Sequence, residues 1–394
     1  MPNALSLTSN LAYLGLIFAL IVIPRALQRF RLPAPLSCFA LGMVAASLVG
    51  ADYHDATLIL LATLGISSLF LFAGLEVDLR SLRRGRWPLL AHLVLSSTIL
   101  AVLTWAAMRY LGYPWNTALV LALAVLTPST GFILESLARL GLDESERYWV
   151  TIKAIGSEIL ALVVVFVVLQ SDTAAHLAVS SLAILGMIVG IPLLFGVLAR
   201  LVVPHAPGSE FSLLVMVGLI AAYLTDQIGV HYLVGAFLAG FIARLLRTRM
   251  PGLASRENLR AIQLFASFFV PFYFFYAGMG VPEAALQWEA LRWGLALSAA
   301  ALPLRIGIVW CERRFIPGET AAGSLRVATA LAPTLIFTLV LATILRDRFK
   351  VGDTLYGALL VYAAITTLLP SLVLAKQADF SPEVPDTEAS PSVE

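Results

Sequence analysis

Long apolar runs alternate with short polar breaks along the whole chain, and within each run the apolar residues are continuous. Between charged and Pro/Gly-rich breaks, runs of about 17–25 residues can be drawn near 9–24, 34–50, 57–75, 87–109, 114–137, 149–170, 177–202, 210–226, 230–246, 261–280, 289–310, 322–345 and 353–375. Strands of a membrane barrel would be about ten residues long and alternate in polarity. The pattern predicts an all-α polytopic membrane protein with about 13 transmembrane helices, occupying residues 1–375. The remaining "KQADFSPEVPDTEASPSVE", residues 376–394, is polar, Pro-rich and acidic, and reads as a disordered cytoplasmic tail.

Composition agrees with the pattern. Of 394 residues 60% are hydrophobic and 13% charged, with mean hydropathy +0.90, against the roughly 45–50% apolar usage of soluble domains. The net charge of +2 says nothing about nucleic acid, but no basic patch is interleaved with aromatics outside the loops, and no nucleic-acid partner is expected. Cys38 and Cys311 imply no disulfide framework, and the histidines at 54, 92, 176, 205 and 231 lack ligand spacing. No cofactor and no enzyme chemistry are expected. The opening "MPNALSLTSN" has no basic residue, while Arg25, Arg29 and Arg31 follow the first run. That order is the reverse of a cleavable signal peptide, so the first span should be retained.

Charge bias sets an orientation. Twenty of the 26 Lys and Arg residues follow odd-numbered runs, as in "RALQRFR", "RSLRRGR" and "RLLRTRMPGLASRENLR". The positive-inside rule then places the N-terminus outside and the C-terminus in the cytoplasm. The cluster "RDRFK" at 346–350 falls on the outer side against this rule.

Two runs are broken in the middle. "LTPSTGF" places Thr127, Pro128, Ser129, Thr130 and Gly131 at membrane depth, and "LAPTLIFT" does the same with Pro333 and Thr334. Proline removes a backbone donor, and the freed carbonyls are tolerated in hydrocarbon only where they face protein or a wet cavity. The breaks lie seven runs apart, an odd number, so their helices run in opposite directions. Matched breaks, near 127–131 and 332–334, are the pointer to inverted repeats with two crossing discontinuous helices and a midplane site. Simple proline kinks are the plainer reading of each break alone.

Most charges inside the runs sit near span ends. Lys153, about one turn inside its run, is expected to snorkel to the cytoplasmic surface. Glu158, near the centre of "TIKAIGSEILALVVVFVVLQ", and Arg305, in "LPLRIGIVW", remain. A charge at a helix centre costs roughly 2.5–3.5 kcal/mol on insertion scales. The simplest reading has the two facing one interior space, with Arg305 compensating Glu158. A permanent structural ion pair is the bland alternative.

Four stretches then carry a resemblance. "LGISSLFLFAGLEVDLRSLRR", "LTPSTGFILESLARLGL", "IGVHYLVGAFLAGFIARL" and "FVPFYFFYAGMGV" appear in the order and spans of bacterial monovalent cation:proton antiporters of the Kef-type and Nap-type branch. The chain resembles the membrane domain of that family over residues about 57–282. The resemblance implies a panel domain and a core domain carrying the crossing broken helices, a homodimer through the panel, and a bacterial inner membrane. Where the family places Asn-Asp, Asp-Asp or Gln-Asp, this sequence has Ser157-Glu158. The family's basic residue in the second repeat matches Arg305. The charged motif many members carry in the second break is absent from "APTLIFT", and no nucleotide-binding regulatory domain is expected.

The implied function is secondary transport in the lipid bilayer by alternating access. It would exchange a monovalent cation, Na+ or K+, for a proton. Glu158 would carry either species, with oxygen ligands from Ser157, Thr127, Ser129, Thr130 and Thr334. One carboxylate and an arginine that stays charged imply electroneutral one-for-one exchange. Two other classes stay open: a transporter of the same architecture moving an anion or organic solute, and a non-transporting membrane sensor.

Overall fold

The computed structural model describes residues 3–49, 55–171, 173–206, 208–250, 252–253, 255–314 and 320–374. Among them there is no strand. The first half of the chain forms α1 (Asn3–Gln28), α2 (Ala34–Val49), α3 (Ala56–Glu76), α4 (Leu79–Arg84), α5 (Arg86–Leu111), α6 (Trp115–Leu126), α7 (Thr130–Ser136) and α8 (Glu144–Gln170). The second half forms α9 (Ala174–Leu201), α10 (Glu210–Gln227), α11 (Tyr232–Leu245), α12 (Arg256–Met279), α13 (Trp288–Arg314), α14 (Ala321–Ala330), α15 (Leu335–Asp347) and α16 (Asp353–Val373). The expected tail at 376–394 lies outside the described residues.

Each apolar run coincides with a helix or a consecutive pair, the fifth with α6 and α7 and the twelfth with α14 and α15. Nine spans among the described residues are long and apolar enough to cross a bilayer, and α14 with α15, bent by 44°, makes ten. The apolar stretches Tyr13–Gln28 of α1 and Ala34–Leu48 of α2 are shorter, and α11 has 14 residues. Among the described residues nine or ten spans thus meet this length and composition, and the remaining runs correspond to shorter apolar stretches. The outward faces of α5 and α9 carry exposed apolar side chains such as Val94, Val102, Leu185 and Val189. A bilayer solvates such a surface, because lipid tails are as apolar as the side chains that meet them.

Small residues determine how closely α2, α3, α11 and α12 pack. A Cβ on Gly240 of "GAFLAG" would sit 2.1 Å from the Leu71 carbonyl oxygen, and one on Gly74 would sit 2.2 Å from that of Phe237. Two of the motifs that carry the family resemblance thus meet across the α3–α11 contact, where backbones touch with no side chain between. A second group brings α5, α6, α8, α13, α14, α15 and α16 together, with α13 packed on α14 and α16, and α5 on α6 and α8.

Polar residues at the helix ends hold these groups in register. Asp143 and Glu146 form a reciprocal capping box at the start of α8. The other Glu146 oxygen, Oε1, takes a 2.9 Å bond from Arg326 Nε, which fastens that start to α14. The "RDRFK" cluster has a similar role at the other end. Arg348 Nη2 donates to Leu169 O at 2.5 Å, and Arg346 Nη1 donates to Gly280 O at 3.1 Å. These carbonyls belong to the C-terminal ends of α8 and α12, where helix dipoles favour cations. The exception to the charge rule therefore has a local electrostatic cause.

Candidate functional site

The breaks cross. In the first, Thr127 and Ser129 have extended backbone (ψ 122° and 91°), which ends α6 and begins α7. In the second, residues 332–334 leave the helix between α14 and α15. Ser129 N donates to Pro333 O at 2.8 Å, so the unwound strands touch through one peptide hydrogen bond.

Each carbonyl freed at a helix end and buried in an apolar interior needs a donor. At the end of α6, Ala124 O accepts from Thr338 Oγ1 of α15 at 2.7 Å, and Val125 O accepts from Tyr362 Oη of α16 at 2.7 Å. At the end of α14, Arg305 supplies the donors. Its Nη1 reaches Ala332 O at 2.8 Å and Tyr362 Oη at 3.1 Å, and its Nη2 reaches Leu331 O at 3.2 Å. A guanidinium at a helix C-terminus is favourable for charge as well as for hydrogen bonding. Pairing of Arg305 with Glu158, the expectation from the sequence, is not made: no ion pair joins them among the described residues. The physical reason is that the second break presents Arg305 with two carbonyls of its own.

Glu158 is 2% exposed, and its Oε2 has no hydrogen-bond partner. The hydroxyls of Ser129 and Thr130, at the first break, are likewise buried and without partners. The Thr130 hydroxyl faces the Glu158 carboxylate, outside hydrogen-bond geometry. Thr334 stands apart from these, since its Oγ1 is 3.0 Å from Thr366 Oγ1 of α16.

A cavity of about 70 Å³ lies beside the crossing, with Thr127, Ser157, Arg305 and His92 in its wall. Apolar residues complete it, among them Leu100, Leu123, Leu160 and Leu331. Glu158 is absent from this wall; successive helix residues point about 100° apart, so Ser157 faces the cavity while Glu158 turns away from it. Beyond Ser157 runs a polar chain: Ser157 Oγ lies 3.2 Å from His92 Nε2, His92 Nδ1 lies 2.8 Å from Glu312 Oε2, and Glu312 Oε1 lies 2.5 Å from Lys153 Nζ.

The description "sodium/hydrogen exchanger, transmembrane" belongs to the family model that matches residues 15–376. The chain belongs to the sodium/hydrogen exchanger family. This exchanger family member is 25% identical to "Probable Na(+)/H(+) antiporter 3" of Methanocaldococcus jannaschii over 373 residues, covering 90% of this chain and 92% of that protein. Its fold matches the sodium proton antiporter MjNhaP1 of the same organism at pH 8, with TM-score 0.68, 13% identity and coverage of 93% and 96%. A second structure, an electron-microscopy map of MjNhaP1, matches with TM-score 0.65, 16% identity and coverage of 93% and 95%. The exchanger is therefore a multi-pass integral membrane protein of a transporter family.

Several residues at the candidate site carry no local signal in the sequence. Lys153 does not snorkel: it is fully buried and salt-bridged to Glu312. The apolar pattern ends the eleventh run at residue 310, whereas α13 continues to Arg314 and carries Glu312 inward. His92 was one of five scattered histidines, and only α5 packing on α8 brings it to Ser157. Tyr362 and Thr338 are each one of several hydroxyl-bearing residues in largely apolar runs. The available signal was that Thr338 lies in a broken run and Tyr362 in the run that follows it.

Proposed function

We propose that this protein exchanges a monovalent cation, Na+ or K+, for a proton, one for one and without net charge movement, by alternating access. The observation that carries the reading is Glu158: a buried carboxylate with an unpartnered oxygen, near two unpartnered hydroxyls at a crossing of broken helices. A buried polar group left without a protein partner calls for an explanation, and a role in holding a small cation or a proton supplies one. Ser129, Thr130 and Glu158 would form the inner ligand set, with Thr127 and Ser157 meeting the ion from the cavity. All are oxygen donors, as hard cations require. Thr334, bonded to Thr366, would join only after exchanging that partner.

Electroneutrality follows from the charge count at the crossing. Glu158 alone would change its charge there, because Arg305 keeps its own and is committed to helix carbonyls. That commitment also works against Arg305 as the binding group for an anion. The protein would function as a homodimer in a bacterial inner membrane, N-terminus outside and C-terminus in the cytoplasm.

The test is exchange in proteoliposomes containing a pH-reporting dye, driven in turn by Na+, K+ and Li+ gradients. Wild type should move protons against a Na+ or K+ gradient at a rate indifferent to an imposed membrane potential. Glu158→Gln should lose exchange altogether; a rate near wild type in that variant would overturn the site. A rate that follows the potential would overturn the one-for-one count.

A further inference from the structure

Hydroxyls inside the helices of this protein mostly bond back to their own helix. Thr98 Oγ1 donates to Val94 O, Thr104 Oγ1 to Leu100 O, Thr329 Oγ1 to Leu325 O and Thr343 Oγ1 to Leu339 O. This is the ordinary fate of Ser and Thr in a helix. Ser157 departs from it, because its bond is to His92 on another helix.

The direction of that bond can be worked out from the far end of the chain. Lys153 Nζ sits 2.5 Å from Glu312 Oε1, so Glu312 is the carboxylate of a salt bridge and can only accept hydrogen bonds. His92 Nδ1, 2.8 Å from Glu312 Oε2, must then carry the hydrogen. In the neutral ring the hydrogen on Nδ1 leaves Nε2 as an acceptor. The Ser157 hydroxyl therefore donates to Nε2, and its lone pairs are turned away from His92. Ser157 lines the cavity, so that is where an oxygen ligand would be presented.

We propose that His92 is a positioning residue: fixed as its Nδ1–H tautomer by Glu312 and Lys153, it draws the Ser157 hydroxyl hydrogen aside so that Ser157 offers its oxygen to the cation. The inference rests on the exchange reading and deepens it. It uses the logic of metal-binding histidines, whose second nitrogen is oriented by an outer carboxylate, with a serine placed where the metal would be. The charges around His92 are compatible with this arrangement. Glu312 and Lys153 face Nδ1, Arg305 stands in the cavity wall held by its carbonyls, and α6 brings no titratable side chain. The arginines of α4, which also packs on α5, are exposed.

Nitrogen-15 NMR of histidine-labelled protein in nanodiscs at alkaline pH, with the His92 resonance assigned by its loss in His92→Gln, reads the tautomer directly. A protonated Nδ1 with an unprotonated Nε2 is expected; the reverse tautomer would overturn the proposal, whatever the fate of any variant. In transport, His92→Leu should raise the cation KM about tenfold, the value of one hydrogen bond's orientation, with kcat within about threefold. His92→Gln, which keeps an acceptor, should recover part of the KM. The double variant with Ser157→Ala should match Ser157→Ala alone, since the two act through one contact; multiplied effects, or an unchanged KM in His92→Leu, would overturn the role. Retained exchange in Glu158→Gln would instead sink the site reading, an outcome that the tautomer measurement does not touch.

Discussion

A lysine buried as deeply as Lys153 is stable only beside a carboxylate, and Glu312 supplies it from a helix 159 residues away in sequence. Removing one member of such a pair takes from the other its counter-charge in a low-dielectric interior, although Glu312 keeps its bond to His92. Glu312→Gln or Lys153→Met alone should therefore lower stability by about 3–5 kcal/mol. The double replacement Lys153→Met with Glu312→Leu should cost less than either single one. Thermal unfolding in detergent compares the three, and a double variant less stable than both singles would contradict this account. Glu158 was legible in the sequence because it interrupts an apolar run far from any end. Glu312 was hidden by its neighbours: Arg313 and Arg314 follow it and mimic a loop, although Arg313 is buried over the Trp149 ring. Burial of a charged cluster at a helix end depends on what packs beside it, which no local pattern encodes.

Glycine placement separates helices that touch from helices that do not. On α11 a side chain at Gly240 would strike the α3 backbone, whereas Gly307 on α13 has open space around its Cβ position. Gly240→Leu should force α3 and α11 apart and abolish the monodisperse peak in size-exclusion chromatography. Gly307→Ala, with nothing to strike, should raise helix stability by about 0.5–1 kcal/mol. Equal behaviour of the two would show that the α3–α11 contact does not limit the fold. Thr338→Val tests the broken helix in a different way: it leaves Ala124 O without its donor, at a cost of about 1–3 kcal/mol, measurable by the same unfolding assay. Both breaks were readable from Pro128 and Pro333. The donors that satisfy the breaks were not, because Thr338 lies on the partner break and Tyr362 more than two hundred residues from Val125.

Across the whole molecule, the loop contacts sort into two ends. Arg326 meets Glu146, Arg31 Nη1 meets Leu372 O, and Tyr148 Oη meets Ser81 O, all at the end expected in the cytoplasm. Gln170 meets Gly229 O and Arg348 meets Leu169 O at the other end. No hydrogen bond in this set crosses from one end to the other, as the alternation of the runs requires. In a Cys311→Ser background, Glu289→Cys should react with an impermeant maleimide in intact cells, and Ala206→Cys only after permeabilisation. The opposite pattern would invert the assigned topology. The hydrogen bond from Ser129 N to Pro333 O acts in this frame as a rivet. Two half-helices of opposite direction, drawn from opposite halves of the chain, become one mechanical part, and neither can slide along its axis without shearing that joint. A displacement of Glu158's surroundings against α3 would have to carry both breaks together. Two engineered disulfides should then differ in effect: one between α7 and α15, which the rivet already holds, should leave exchange running, and one between Gly131→Cys and Leu69→Cys, across the α3–α7 contact, should arrest it.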